Sequence, residues 1–172
     1  MNHTITAAPV PPGSAISQHL AGAHFHDCFE MPVAADAPSA LDFYLGVVRR
    51  TPAWVDTLMT ARNRAVALVG LKNLGHLGSL DPAKTARDYR VGDRIGIFKL
   101  LQVSDHEVIL GDSDQHLDAK VSVHRRTEAG QHRMAVSTVV HIHNRLGRLY
   151  MLFVAPVHKR IVPAMLARAQ RA

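Results

Sequence analysis

Five short stretches in the second half of the chain carry strand signals, most of them an alternation of apolar and polar side chains, and this series limits the fold more than any other feature. A period of two residues is typical of a strand with one buried face. The stretches are Arg94–Val103, Glu107–Asp112, His116–Arg125, His132–His143 and Arg148–Val154. Connections as short as theirs join antiparallel neighbours, so we predict an antiparallel meander.

The first half of the chain adds one more strand. Residues 1–21 hold three prolines and many small side chains, which predicts a flexible or extended leader before a single domain at 22–172. The domain opens with AHFHDCFEMPV, where Phe25, Phe29 and Met31 share one side of a predicted strand. Pro32 should limit this strand.

Two helices are predicted next. The first begins at a cap, Asp36 or Ser39, and the second begins after Thr51 and Pro52. We expect the second helix to turn one stripe toward the core. That stripe is Trp54, Leu58, Ala65 and Val69, with Ala61 or Arg62 between.

A long connection and a terminal helix complete the pattern. Residues Leu71–Tyr89 carry glycine, proline and mixed polarity, as binding loops often do. From Pro156 to Ala169 apolar residues lie four apart, which predicts an amphipathic helix bent at Pro163. We therefore predict an α+β fold: a curved antiparallel sheet of about six strands wrapped around the C-terminal helix, with a small-molecule cavity between them.

Composition narrows the classes of partner. The chain has 20 basic and 14 acidic residues and a formal net charge of +6. The bases are scattered, so we expect no nucleic-acid partner. Cys28 is the only cysteine, and no apolar run approaches the roughly 18 to 20 residues of a membrane span. We expect a cytoplasmic protein without a membrane span, and no cofactor, because no glycine-rich dinucleotide fingerprint follows a strand.

Residues 111–126, GDSDQHLDAKVSVHRR, concentrate polar side chains within a predicted hairpin. If Leu117 and every second residue after it point into the core, His116 and Asp118 point toward solvent, and the turn aspartates bond local amides. The other interpretation makes Asp114, His116 and Asp118 candidate catalytic residues that act on a ligand as acid–base groups. Both interpretations stay open.

Asp27 is a candidate cavity residue, because it shares its side of the strand with Phe25 and Phe29. A buried carboxylate needs a partner or a proton. One hypothesis is that Lys99, on a neighbouring strand with the same parity, pairs with it; Arg62 is the alternative partner. A bulge that turns Asp27 outward is the competing explanation.

Aromatic and apolar residues complete the predicted ligand-binding set. Each of them can belong to the hydrophobic core, to the surface that binds the ligand, or to both. They are Phe29, Trp54, Phe98, Phe153 and Met165.

Two His-x-His runs raise the question of a metal. His24 and His26 form one run, and His141 and His143 form the other. We place a further strand between the two runs and expect their imidazoles to point outward. Since a site needs three or four converging ligands, we expect no metal, with His141 and His143 the candidates otherwise.

Several segments together resemble one known family. They are AHFHDCFEMPV, TPAWVDTLMTARNRAVALVGL, VGDRIGIFKLL, ILGDSDQHLDAKVSV and LYMLFVAPVHKRIVPAMLARA. They look like the bacterial domain-of-unknown-function 2867 family across Ala23 to Ala169. The resemblance brings no established activity. It implies kinship with START-like (SRPBCC) helix-grip folds, and relatives of the family also occur joined to NAD(P)-binding domains.

The functional expectation is a module that binds a small hydrophobic or amphipathic molecule. The alternatives are an enzyme that uses aspartate and histidine residues in the same cavity, or an accessory partner of an NAD(P)-dependent reductase. An exposed strand edge can pair with a second copy, so a homodimer is a further expectation.

Overall fold

The alternating stretches form one antiparallel sheet that carries helices on its inner face. The structure is a computed structural model and describes residues 4–67 and 75–170. The strands are β1 (Thr6–Ala7), β2 (Phe25–Pro32), β3 (Arg94–Ile95), β4 (Phe98–Val103), β5 (Glu107–Ser113), β6 (Leu117–Glu128) and β7 (Gln131–Ile142). The α-helices are α1 (Ala40–Arg49), α2 (Ala53–Ala67) and α3 (Arg145–Gln170). The strand order is β1-β2-β7-β6-β5-β4-β3, which confirms the predicted α+β class.

One predicted strand is divided in two by a glycine. The stretch Arg94–Val103 forms β3 and β4, because Gly96 between them has a φ of +61°. A Cβ at Gly96 would lie 2.3 Å from the carbonyl oxygen of Leu77, so this approach requires a residue without a side chain. With β1 added, the sheet has seven strands rather than about six.

The prediction of a strand at Arg148–Val154 is wrong, because these residues belong to α3. Their apolar run is almost continuous and lacks a clear alternation, and leucine and methionine favour helices. Asn144 caps the start of the helix, since its Oδ1 accepts a hydrogen bond from the backbone N–H of Gly147 at 3.0 Å. The predicted terminal helix is therefore only the second part of a 26-residue helix that contains Pro156 and Pro163.

Helix α3 covers the inner face of the sheet. Met165 and Leu166 are buried in the main apolar core, together with Tyr44 of α1 and Leu110 of β5. Among the described residues, α3 is the one helix with the length and mean hydropathy of a membrane span, and 17% of its most apolar window is buried. Length and composition alone are weak evidence, because a helix that packs on a core passes the same test.

The stripe on α2 does not face the core as predicted. Trp54 is 44% exposed and Leu58 is 40% exposed, whereas Val55 is fully buried. The part of the stripe from Leu58 to Ala65 faces α3 across an open groove instead. Val69, the last member, lies outside the described residues. The cap of α1 agrees with one prediction, because Ser39 accepts a hydrogen bond from the backbone N–H of Asp42.

The N-terminal residues, expected as a flexible or extended leader, pack on the sheet. β1 pairs with β2, and a 3-10 helix at Ala15–His19 lies on the outer face. Its Ile16 is fully buried against an apolar cluster that includes Cys28, Ile109 and Val139. The outer face is therefore partly covered, although the alternation alone suggested that it faces solvent.

A buried carboxylate fastens the N-terminal segment to the sheet. The Glu107 carboxylate accepts hydrogen bonds from the backbone N–H groups of Ala15 at 2.6 Å and Ile16 at 3.3 Å. The Ser122 hydroxyl, which is fully buried, donates a third bond at 2.6 Å. The first residues of a helix have free N–H groups, and this carboxylate satisfies two of them.

Candidate functional site

Hollows between the sheet, α2 and α3 adjoin one another. The largest, called the groove, has a volume of about 540 Å³ and lies open between α2 and α3. The inner cavity, about 160 Å³, lies between α3 and the sheet and is lined by Phe98, Val121 and Met165. The end cavity, about 150 Å³, extends toward Asp114 and Leu117. The walls of all three are mainly apolar side chains.

One polar side chain lines every one of these hollows, and it is His158 of α3. Its Nδ1 lies 3.0 Å from Oδ2 of Asp27 on β2. Its Nε2 lies 3.5 Å from the Thr138 hydroxyl on β7. The Phe25 ring meets the imidazole edge to face, with 5.7 Å between the ring centres. Both ring nitrogens are thus oriented by neighbours.

The sheet register explains why these residues meet. Asp27 and Thr138 are paired residues on neighbouring strands, and Thr138 also pairs with Val121 on β6. Residues paired across a sheet point to the same face. His158 lies above this row because α3 crosses it, which places one imidazole over two polar groups in an otherwise apolar surface.

The protonation of the imidazole follows from the partner of Nδ1. An ionised carboxylate only accepts hydrogen bonds, so the Nδ1 of His158 donates to Asp27. In the neutral ring Nε2 is then an acceptor, and the Thr138 hydroxyl lies 3.5 Å from it. The Asp27 side chain is 9% exposed, and within the described part of the chain its Oδ1 is buried without a hydrogen-bond partner. One oxygen therefore orients the ring, and the other is a buried acceptor that receives no hydrogen bond.

The predicted inward orientation of Asp27 holds, but the predicted partner is wrong. Lys99 is exposed on β4, and three strands separate β4 from β2. Four strand spacings amount to about 19 Å, too far for an ion pair. Arg62 donates to the Tyr150 hydroxyl at 3.1 Å instead, with its guanidinium 5.3 Å from the centre of that ring.

Sequence reasoning missed His158, although a signal was present. His158 lies seven residues before Met165 and four before Val162, and this spacing places it on the helix face that packs on the sheet. A histidine at such a position is a candidate partner for a carboxylate on the inner face of a strand. The prediction instead chose Lys99 from strand parity and from the assumption that its strand borders the strand of Asp27, which the strand order contradicts.

The other predicted ligand-binding residues divide into two groups. Phe98 and Met165 line the inner cavity, and Arg62 and Phe153 line the groove, where Phe153 is 71% exposed. Phe29, Trp54 and Lys99 line none of the three hollows. Phe29 packs against the main core instead.

The candidate catalytic residues of the hairpin make structural contacts. Asp114 Oδ1 accepts hydrogen bonds from the backbone N–H groups of His116 at 2.7 Å and Leu117 at 3.0 Å, which is an aspartate-stabilised turn. The His116 ring accepts from the side chain of Asn144 at 2.9 Å. Asp118 forms an ion pair with Lys120. Of the three candidates, only Asp114 lines one of the hollows. The contact between His116 and Asn144 connects the hairpin to the start of α3.

The two histidine runs are closer than predicted. Since Arg148–Val154 is helical, β7 borders β2 directly, and His24 Nδ1 accepts a hydrogen bond from the N–H of Ile142 at 3.0 Å. His141 contacts the Ala21 carbonyl and His143 contacts the Asp114 carbonyl, each at 3.1 Å. Within residues 4–67 and 75–170, no three histidine, cysteine, aspartate or glutamate side chains converge in a way that could hold a metal ion.

The only cysteine is remote from the hollows. Cys28 is 3% exposed and faces the outer cluster beneath Ile16. Burial raises the pKa of its thiol, and the nearby carboxylates of Glu30 and Asp27 act in the same direction. A thiol of this kind is a poor nucleophile, because the thiolate is the reactive form.

Comparison with known proteins gives one relationship. The family model described as "Protein of unknown function (DUF2867)" matches residues 19–165, a range that contains both Asp27 and His158. No curated protein and no solved structure matches the chain. The chain therefore belongs to the DUF2867 family.

Proposed function

We propose that this protein binds a small apolar or amphipathic molecule between the sheet, α2 and α3. The molecule carries one polar group that meets His158. The observation that carries this proposal is that His158, held by Asp27, is common to the groove, the inner cavity and the end cavity.

The size and lining of the hollows support this class of ligand. Small-molecule sites are typically clefts of about 300–1,000 Å³ with mostly apolar walls and a few placed polar groups. The groove, at about 540 Å³, falls in that range. The inner cavity, at about 160 Å³, is comparable to an engineered apolar cavity of about 150 Å³ that binds benzene. A ligand with a ring or short chain beneath α3 and a longer body in the groove fits both.

Kinship with START-like helix-grip proteins is part of the same proposal. A curved antiparallel sheet with a long C-terminal helix across its inner face supports it. In such an arrangement the space between helix and sheet is the natural ligand site. The proposal depends on the hollows of this chain and not on the activity of any relative.

Binding of anilinonaphthalene sulfonate, a dye that becomes fluorescent in apolar surroundings, tests the proposal. Ala61→Trp places an indole in the groove, since Ala61 is exposed on α2 and lines it. The expected result is an affinity weaker by about tenfold or more, equivalent to about 1.4 kcal/mol. Ala53→Trp, an exposed alanine of the same helix outside the groove lining, is the matched control.

Equal affinity in both tryptophan variants would place the dye elsewhere and contradict the proposal. Native mass spectrometry of freshly expressed protein provides a second measurement. A bound molecule retained by the wild type and lost from Ala61→Trp identifies the natural ligand directly.

A further inference from the structure

We propose that Asp27 and His158 form a proton-transfer dyad that acts on a carbon acid, namely an apolar carbonyl compound with a C–H bond next to the carbonyl. This inference rests on the proposed ligand site and adds a reaction to it. His158 is the catalytic residue and Asp27 is a positioning residue.

The orientation of the ring supports this role. Since Nδ1 of His158 donates to Asp27 at 3.0 Å, Nε2 of the neutral ring carries the free lone pair. It lies 3.5 Å from the Thr138 hydroxyl, and both residues line the inner cavity and the end cavity. A base must lie within hydrogen-bond reach of the proton that it removes. The His158 side chain lines all three hollows, so a molecule in any of them lies next to the imidazole. Asp27 is buried, so its charge is poorly screened and stabilises the imidazolium that forms.

The step balances without a further reactant. The substrate C–H bond breaks, its proton moves to Nε2 of His158, and the electron pair forms an enolate with the charge on the carbonyl oxygen. The Thr138 hydroxyl, 3.5 Å from Nε2, can donate a hydrogen bond to that oxygen. Return of the proton to the same or a neighbouring carbon regenerates the neutral ring, so the result is exchange or isomerisation.

The surroundings of Thr138 argue against acyl transfer through its hydroxyl. Asp27, His158 and Thr138 resemble a nucleophile triad, but Thr138 lies within β7, which is paired on both sides by β2 and β6. Backbone N–H groups in the middle of a sheet are used in the ladder. A tetrahedral oxyanion at this position therefore lacks the pair of N–H donors that acyl transfer requires.

Elimination of nitrobenzisoxazole, an apolar bicyclic carbon acid, tests the dyad directly. A base removes its ring proton, the N–O bond breaks and a coloured cyanophenolate forms, so the reaction needs no other reagent. We expect wild-type protein to react about 100-fold faster than His158→Gln, in the range of general-base catalysis. His141→Gln, which removes a partly buried histidine outside the hollow linings, should react like the wild type.

Asp27→Asn separates positioning from simple structural support. An amide can donate to Nδ1 and leave the proton on Nε2, which removes the base while the ring stays in place. The expected result is a lower kcat with little change in KM. A variant that had merely lost packing would change KM as well, and rates equal to the wild type would overturn the positioning role.

Chemical labelling of the wild-type protein tests the dyad even if the variants do not fold. Bromoacetylnaphthalene alkylates an unprotonated imidazole: a bond forms between Nε2 and the methylene carbon, and bromide leaves. We expect the adduct at His158 ahead of the exposed His24 and His26, with nitrobenzisoxazole slowing it. Labelling of the exposed histidines first would overturn the proposal.

The experiments distinguish the two proposals from each other. One outcome is that anilinonaphthalene sulfonate binds and nitrobenzisoxazole displaces it, but the wild type and His158→Gln convert nitrobenzisoxazole at the same rate. That outcome contradicts the dyad and leaves the binding proposal intact. If the dye does not bind in the groove, the binding proposal fails and the dyad falls with it. If the protein hydrolyses esters and carries an acyl adduct on Thr138, the reaction is acyl transfer and the proton-transfer proposal is overturned.

Discussion

The carboxylate of Asp27 lies 3.0 Å from the imidazole Nδ1 of His158, although the two residues are 131 positions apart in the sequence. The contact joins β2 at one end of the domain sequence to the middle of α3 at the other. It is a polar bond in an interface that is mainly apolar, so it helps to fix which turn of the helix lies over which row of the sheet.

A double-mutant cycle should detect this contact in the free energy of unfolding. Asp27→Asn, His158→Gln and the double variant, measured by urea denaturation, should give a coupling energy of about 1–3 kcal/mol, because each residue is largely buried and the bond involves a charged group. A coupling energy near zero would mean that the two side chains contribute independently. The pair Arg126 and Glu128, in which the Glu128 side chain is 63% exposed, is a control in which about 0–1 kcal/mol is expected.

Loss of the Glu107 carboxylate should release the N-terminal segment. Glu107→Ala leaves the N–H groups of Ala15 and Ile16 and the buried Ser122 hydroxyl without their acceptor. We expect the free energy of unfolding to fall by about 2–4 kcal/mol, and limited proteolysis to cut near residue 15 first. Glu128→Ala, whose side chain is 63% exposed, should cost under about 1 kcal/mol.

Two helical glycines should respond to alanine in opposite directions. A Cβ at Gly147 would lie 2.4 Å from the backbone oxygen of His116, which cannot move without disturbing the strand. Gly147→Ala should therefore destabilise the protein by about 1–3 kcal/mol. At Gly46 the nearest atom is the end of the flexible Arg50 side chain at 3.5 Å, so Gly46→Ala should stabilise α1 by up to about 1 kcal/mol. Thermal denaturation of both variants measures the difference in sign.

Stability should decrease as the pH falls below about 6.5, partly through His124. Burial lowers the pKa of His124, and the positive charges of Arg126 and His106 act in the same direction. Between the unfolded and the folded pKa, the unfolded chain binds the proton and the folded chain does not, so protonation favours unfolding. Above both pKa values this effect is absent.

Urea midpoints at about pH 7.5 and about pH 5.5 measure this loss. His124→Gln should reduce the difference between the two midpoints, whereas His76→Gln, which removes an exposed histidine, controls for the number of histidines. Burial also lowers the pKa of His19, so part of the loss should remain in His124→Gln. An unchanged difference would show that His124 makes no contribution.

The strands were predictable because alternation is a local property. The order of β5, β6 and β7, their short connections and the inward orientation of Asp27 all follow from a period of two residues along the sequence. The cap at Ser39 was predictable for the same reason, since the N-cap bond spans only three residues.

The start of α3 was not predictable from alternation, because a nearly continuous apolar run fits a buried strand and a buried helix equally well. The choice depends on Asn144 at its start and on the close approach of Gly147 to His116 on a different hairpin. The packing of the N-terminal segment on the sheet was likewise not predictable from local sequence. Its buried Ile16 depends on Glu107, which lies 91 residues further along the chain.

The sequence by itself determined the α+β class, the strands of the meander and the inner face that carries Asp27, because side-chain alternation decides which residues share a face. Only the tertiary structure decided that His158 and not Lys99 stands over Asp27, and that a single imidazole lines three adjoining hollows. A pairing between residues 131 positions apart depends on where α3 crosses the sheet. Helix crossing is set by the packing of whole surfaces, which no local pattern specifies.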